Sequence, residues 1–276
     1  MKYTEYQFTI IPPEPWRDIL VAYLGELPFE SFIETETGFL AYIKTAEDTD
    51  IQDLPVLSSP DVQISYEKKP APDINWNEEW EKNFSPVLVE NQIYIHTDFH
   101  PERKEIPYQI VIEPKMSFGT GHHETTYNML HAMLSMDFQG KDVLDMGCGT
   151  GVLGIFAKMR GANYVEAIDI DDWSYNNALE NAEKNKITLQ IKSGDADLLG
   201  NRSFNIILAN INKNILLKDM KTYAENLTPD GQLLLSGIYE HDFNDIIAEA
   251  GKYGLKFVQK WSKSNWISIL LRYDLQ

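Results

Sequence analysis

The sequence predicts an α/β chain in two parts. A small α+β unit comes first, followed by an open, mostly parallel sheet with helices on both faces and an antiparallel hairpin at its end. Three observations predict this. Strand and helix patterns over residues 1–68 follow the order β-α-β-β-α-β, the order of a ferredoxin-like unit. From about residue 90, strand-like runs alternate with helical ones, which requires a parallel sheet. The final two strand patterns, 255–261 and 266–273, are separated by only the polar Ser262-Lys263-Ser264-Asn265, too short for a crossover helix, so they pair antiparallel.

Each element has its own signal. Tyr6, Phe8 and Ile10 alternate with polar residues, as in a half-buried strand. Pro12, Pro13 and Pro15 break it. Trp16, Ile19, Leu20, Tyr23 and Leu24 then fall at helical spacing, with Gly25 as the stop. The β-rich run from Phe32 to Ile43 around Gly38 reads as a hairpin, 47–57 as a short second helix and 62–66 as a further strand. Lys68-Lys69-Pro70-Ala71-Pro72 marks a boundary. The expected division is therefore 1–68, a linker over 69–89, and 90–276. Within the linker, Trp76, Trp80 and Phe84 share one face of a connector helix. In the larger part, strands are expected at 141–146, 165–169, 189–191, 204–209 and 233–237. The intervening helices are expected at 152–160, 173–185, 214–226 and 241–251.

Composition narrows the function. The 276 residues are 43% hydrophobic, enough for a real core and incompatible with a disordered polyanion. With a mean hydropathy of −0.33 and no apolar run near 18 residues, no membrane span is expected. The start lacks the pattern of a signal peptide, and a single cysteine allows no internal disulfide, so a reducing cytoplasm is the expected location. The net charge is −18. Residues 1–84 hold 6 basic and 17 acidic side chains, more than half of that excess in less than a third of the chain. Such a surface repels nucleic acid phosphate and suits a basic protein partner. A well-solvated surface explains the same charge.

The chemistry concentrates at Asp145-Met146-Gly147-Cys148-Gly149-Thr150-Gly151, which follows an apolar strand and opens a helix. Glycines here let the backbone turn sharply and approach a ligand closely, at the strand ends where an open α/β sheet holds its cofactor. Asp169 ends the next strand, 22 residues after Gly147, where a carboxylate can accept from both ribose hydroxyls. A nucleoside cofactor follows. Gly149-Thr150-Gly151-Val152-Leu153-Gly154 also satisfies the dinucleotide fingerprint, which keeps an NAD-dependent oxidoreductase as an alternative. Against it stand the earlier start of the glycine run at Gly147, the antiparallel hairpin and Asp145. A carboxylate there suits a cation with an amino-acid tail and would repel a pyrophosphate. Asp145, Gly147, Gly149, Gly151 and Asp169 together look like an S-adenosylmethionine site. Asp195, after the third strand, is the candidate for the adenine amino group. Cys148 has no visible base or cation to activate it and reads as packing.

Two further segments complete the picture. Ser117-Phe118-Gly119-Thr120-Gly121-His122-His123-Glu124-Thr125-Thr126 offers a turn and a hydroxyl pair able to cap the next helix. Its adjacent His122, His123 and Glu124 lie on one segment and do not converge on an ion, so no metal is expected. Leu208-Ala209-Asn210-Ile211 ends the fourth strand at the cofactor edge, where the Asn210 side chain can accept from an amine or support a turn.

These residues resemble one family closely, the bacterial methyltransferases of large-subunit ribosomal protein eleven. The resemblance rests on Trp76 to Phe84, on Phe118-Gly119-Thr120-Gly121, His123 and Thr125-Thr126, on the Asp145–Gly151 loop with Asp169, on Leu208 to Ile211 and on Leu235-Ser236-Gly237-Ile238, and spans about residues 70–270. It departs at Glu113-Pro114-Lys115, where the family has Asp-Pro-Gly, and at His122, where the family has a small hydroxyl residue. It implies a Rossmann-like class I methyltransferase sheet behind a substrate-recognition domain. It further implies S-adenosylmethionine contacts at Thr126, Gly147, Asp169 and Asn210, a substrate loop comprising Phe118, Gly119, Thr120, Gly121 and His123, and trimethylation of lysine side chains and the amino terminus of the ribosomal protein. Asn210 is the expected catalytic residue, and a monomer the expected state. Methylation of another basic protein or of a small-molecule amine is the competing expectation.

Overall fold

Alternation decides the first sheet. In the computed structural model, which describes residues 3–71 apart from 26, 36 and 53, and residues 84–274 apart from 114 and 116, Tyr6, Phe8 and Ile10 of β1 (Tyr3–Ile11) point to one face. They join Phe39, Ala41 and Ile43 of β3 (Gly38–Lys44) and Leu20 and Leu24 of α1 (Trp16–Gly25) in one core. β2 (Phe29–Thr35) and β4 (Gln63–Pro70) complete an antiparallel sheet ordered β2-β3-β1-β4.

The helix expected over 47–57 is not present among the described residues. A turn at 45–47 and a short 3₁₀ segment, Pro55–Ser58, stand there instead. The polar side chains explain the outcome. The Tyr6 hydroxyl donates to Asp48 at 2.7 Å and reaches the Thr49 carbonyl at 3.3 Å, and Asp50 accepts the Gln52 N–H at 3.0 Å, so side chains take up backbone groups an α-helix would have used. Pro55 adds a residue without an N–H.

The chain divides into two units, Met1–Phe84 and Ser85–Gln276. β4 runs to Pro70 and a new strand starts at Val87, so strand pairing enters both ends of the stretch expected as linker. The connector helix expected at residues 76–84 lies, except for Phe84, outside the described residues.

The second unit opens with a three-stranded sheet that sequence patterns did not foresee: β5 (Val87–Val89), β6 (Ile93–His96) and β7 (Tyr108–Val111). Then follow α2 (Glu124–Leu134), β8 (Asp142–Met146), α3 (Val152–Met159), β9 (Tyr164–Asp169), α4 (Asp172–Lys184), β10 (Gln190–Ser193), β11 (Phe204–Asn210), α5 (Lys213–Glu225), β12 (Leu227–Tyr239), α6 (Phe243–Gly251), β13 (Leu255–Lys263) and β14 (Trp266–Tyr273). The sheet order is β10-β9-β8-β11-β12-β14-β13. Strands β10 to β12 run parallel, while β14 pairs antiparallel with both β12 and β13. Ser264 and Asn265 turn this hairpin with φ of 48° and 68°, as a two-residue primed turn requires. Central strands read as continuous apolar runs because helices cover both faces. Leu144, Ile207, Leu233, Leu235 and Ile269 pack in one core with Leu216 and Met220 of α5 and Ile246 of α6. Each such side chain contributes roughly 1.5–3 kcal/mol on burial. Among the described residues, no helix is long and apolar enough to cross a membrane.

This order reverses direction between β8 and β11, which opens a crevice at their carboxyl ends. Met146, Asp169, Ser193 and Asn210 all stand at that edge.

Candidate active site

The chain leaves β8 and turns through the glycine loop into α3. Gly147 and Cys148 donate their N–H groups to the Ile168 carbonyl at 2.8 and 3.1 Å. Gly149 donates to Asp169 Oδ2 at 2.8 Å, while Asp169 Oδ1 accepts from Asp171 at 3.0 Å. Gly151 begins α3 in the left-handed region. The loop is thus fastened to the end of β9, and the residues read as cofactor contacts, Gly147, Gly149, Gly151 and Asp169, come together. Cys148 is buried within the loop, and that burial pushes its thiol up, with Asp145 and Asp169 acting in the same direction. It is packing, not a thiolate.

The Phe118–Gly121 segment docks directly on this loop. Thr150 donates its N–H to the Phe118 carbonyl at 2.9 Å and its hydroxyl to the Gly119 carbonyl at 2.8 Å. A Cβ on Gly149 would fall 2.1 Å from the Phe118 oxygen, so only glycine permits the approach. Gly121 lies against Ile95 and Val87, and Thr120 Oγ1 stands 3.0 Å from His122 Nδ1.

The cap of α2 corrects the sequence reading. It comes from His123, whose Nδ1 accepts the Thr125 N–H at 3.2 Å, whereas Thr125 and Thr126 lie inside the first turn. His122 turns away toward the Ser85 carbonyl at 2.8 Å. The two histidines are spent on separate backbone tasks.

Thr126 is buried, and its hydroxyl stands 3.4 Å from Asn210 Nδ2. Asn210 Oδ1 is buried and has no hydrogen-bond partner. A buried amide oxygen left in this state costs about 1–3 kcal/mol. Asp145 is fully buried. Its Oδ2 accepts the Gly154 N–H at 2.8 Å and its Oδ1 has no partner. Burial pushes its carboxyl up to about 7; the Gly154 bond opposes this and the neighbouring Asp169 adds to it. Asp195 is exposed at the head of a 3₁₀ turn and accepts the Asp197 N–H at 3.0 Å, next to Gly194, which donates to the Asp169 carbonyl at 2.8 Å.

One feature of the site was not foreseen. Phe118, His123, Trp266 and Tyr239 form an aromatic row, with ring centroids 5.2, 4.9 and 3.9 Å apart in that order. Trp266 opens β14 opposite Tyr239 of β12, and Asn128 of α2 holds the Trp266 carbonyl at 3.0 Å. The available signal was a tryptophan directly after a polar turn, at the start of a strand.

Together these groups can accept a nucleoside with a cationic tail. Asp169 retains lone pairs for hydroxyl donors, the loop offers close backbone approach, and a lone carboxylate and a lone amide oxygen lie nearby. A pyrophosphate would face the Asp169 carboxylate, and the inserted antiparallel β14 departs from the all-parallel dinucleotide-binding order.

The model for ribosomal protein L11 methyltransferase (PrmA) matches residues 20–274. The chain belongs to the ribosomal protein L11 methyltransferase family. Relatives named ribosomal protein L11 methyltransferase are 45% identical in Phocaeicola vulgatus, covering 98% of both chains, and 44% identical in Porphyromonas gingivalis, covering 99% of both. The crystal structure of ribosomal protein L11 methylase from Lactobacillus delbrueckii subsp. bulgaricus matches with a TM-score of 0.64 at 26% identity, over 70% of this chain and all of that one. A methyltransferase from Pyrococcus furiosus shares the fold, with a TM-score of 0.50 at 16% identity over 60% of this chain and 90% of that one. Like other members of the ribosomal protein L11 methyltransferase family, this chain is a protein methyltransferase that uses S-adenosylmethionine.

Proposed function

We propose that this enzyme methylates amines of large-subunit ribosomal protein L11, converting lysine side chains and the amino terminus to trimethylated forms. The observation that carries the chemistry is the buried, unpartnered Asn210 Oδ1 at the carboxyl end of β11. The names of relatives at 45% identity carry the substrate.

When bound, S-adenosylmethionine supplies a methyl already activated for transfer. The residues proposed to hold it are the loop Gly147, Gly149 and Gly151, Asp169 at the ribose, Asp195 at the adenine, and Thr126, Asp145 and Asn210 toward the amino-acid end. What remains for the protein is alignment. A free lysine has a pKa near 10.4, so roughly one in a thousand is neutral at pH 7. Desolvation in the crevice lowers that value, solvent takes the proton, and Asn210 Oδ1 accepts an N–H of the neutral amine so that its lone pair faces the methyl. Phe118, half exposed, offers a ring face to the lysine stem and to its partly methylated forms.

The first unit is read as a ferredoxin-like substrate-holding domain whose second helix is reduced to a 3₁₀ turn. Its acidic surface suits a basic ribosomal protein and speeds encounter. Incubation of purified ribosomal protein L11 with the enzyme and S-adenosylmethionine, followed by intact mass measurement, tests the reading. Gains in methyl steps accumulating toward multiples of three are expected. No gain, with S-adenosylhomocysteine still bound, would redirect the search to other basic proteins.

A further inference from the structure

Asn210 can orient an amine only if something fixes the segment that carries it, and two glycines distant in sequence do so. The residue after it, Ile211, is held from both sides. A Cβ on Gly147, in the cofactor loop at φ 69°, would fall 2.3 Å from Ile211 Cγ2. A Cβ on Gly237, in β12 at φ 87°, would fall 2.2 Å from the Ile211 carbonyl oxygen and 2.7 Å from its carbon. The two contacts differ in kind. One meets the tip of a side chain, the other meets the main chain.

Gly237 occupies this position because β12 carries one extra residue there. Its pairing with β14 runs Leu235 to Ile269 and resumes at Ile238 with Ile267, which leaves Ser236 and Gly237 in a bulge. Ser236 pairs directly beside Asn210 of β11. Its hydroxyl, fully buried, donates to the Ile267 carbonyl at 2.9 Å. The residue preceding Ile267 is Trp266, the centre of the aromatic row. A single bulge therefore touches the main chain of the Asn210 segment on one side and the anchor of Trp266 on the other.

We infer that the Ser236–Gly237 bulge is the positioning element of methyl transfer, and that Gly237 is a positioning residue which sets the Asn210 acceptor relative to the aromatic row without touching cofactor or amine. This rests on the proposed role of Asn210. A side chain at position 237 must move the Ile211 peptide, and displacement of about 1 Å at an aligned reacting group costs roughly a hundredfold in rate.

The test compares Gly237→Ala with the full-length enzyme on its protein substrate, measuring kcat, KM and S-adenosylhomocysteine affinity separately. The expected result is a kcat lower by about a hundredfold, with a much smaller loss of S-adenosylhomocysteine affinity, because Ile211 also lies against Gly147 while most of the residues proposed to hold the cofactor stay in place. A merely structural glycine would lower the fraction of folded enzyme and leave the kcat of the folded, ligand-binding fraction unchanged, which would overturn the inference. If Gly237→Ala does not fold, Ser236→Ala loosens the same bulge with a smaller change. A several-fold loss of kcat at unchanged S-adenosylhomocysteine affinity is expected, and wild-type kcat would refute the role. A double variant adds an independent readout. Ile211→Ala should not restore kcat to Gly237→Ala, where the obstacle is the Ile211 main chain and not its side chain. Restoration of kcat would overturn the inference. Failure of the underlying reading is distinguishable: wild type itself would then transfer no methyl, or Asn210→Ala would turn over normally.

Discussion

Replacing Asp145 with asparagine should stabilise the cofactor-free protein at alkaline pH and do little at acid pH. Asp145 is fully buried, with one backbone donor for two oxygens and the Asp169 carboxylate as its charged neighbour. The fold raises its carboxyl from the ordinary 3.8 to about 7, so between those values the folded state binds a proton that the unfolded chain releases. Stability from this group is present in full below pH ~4, falls as pH rises through the window and is lost above pH ~7. At about 1.36 kcal/mol for each pH unit, the displacement amounts to about 4 kcal/mol. Asparagine keeps an oxygen for the Gly154 N–H and carries no charge, so it escapes this loss. Urea denaturation of wild type and Asp145→Asn from pH 5 to pH 8 measures the difference. The variant should gain on wild type by a few kcal/mol across that range. A constant difference between the two proteins at every pH would refute the reasoning, since Asp145 would then be ionised throughout.

Three further outcomes follow from the same geometry. Asn210→Ala should lower methyl transfer by about 10²-fold or more, as loss of a preorganised hydrogen-bonding group does, while calorimetry shows S-adenosylhomocysteine still binding. Gly149→Ala should weaken S-adenosylhomocysteine at least tenfold, because its Cβ would meet the Phe118 oxygen at 2.1 Å and force the 117–121 segment off the loop; titration of the ligand checks it. Arg202→Met should cost about 3 kcal/mol in urea denaturation, because it strips the buried Glu166 of one of its two cationic partners, Arg202 and Lys192.

The parts of the fold legible in the sequence were those decided by local pattern. β8, the glycine loop and β9 follow one another within a single supersecondary unit, so an apolar run, three glycines and an acid sufficed to bring Asp145, Gly147 and Asp169 together. The helix expected at 47–57 failed because helical spacing competes with side-chain bonds the pattern does not display: Tyr6, 42 residues earlier, takes Asp48. β5, β6 and β7 are three to four residues long, shorter than any periodicity that can be counted. The site divides the same way. Gly149 and Asp169 announced themselves. Trp266 did not, because its meaning depends on Tyr239 across a strand pair and on His123 at the head of a distant helix. The docking of Phe118 on Thr150 was signalled only by glycines on both sides, which mark close approach without naming the partner.

The position of β14 inside the sheet has a consequence for biosynthesis. This strand is made after every other member of its sheet, yet it lies between β12 and β13 and not at an edge. Until Trp266–Tyr273 has emerged from the ribosome, β12 presents an unpaired side bearing Leu233, Leu234 and Leu235, and an open apolar edge of that kind recruits other chains. A polypeptide interrupted between residues 211 and 265 therefore holds the glycine loop and Asn210 but lacks both the tryptophan and the strand that seals the sheet. The last strand to be made thus closes the sheet and completes the aromatic row in one step.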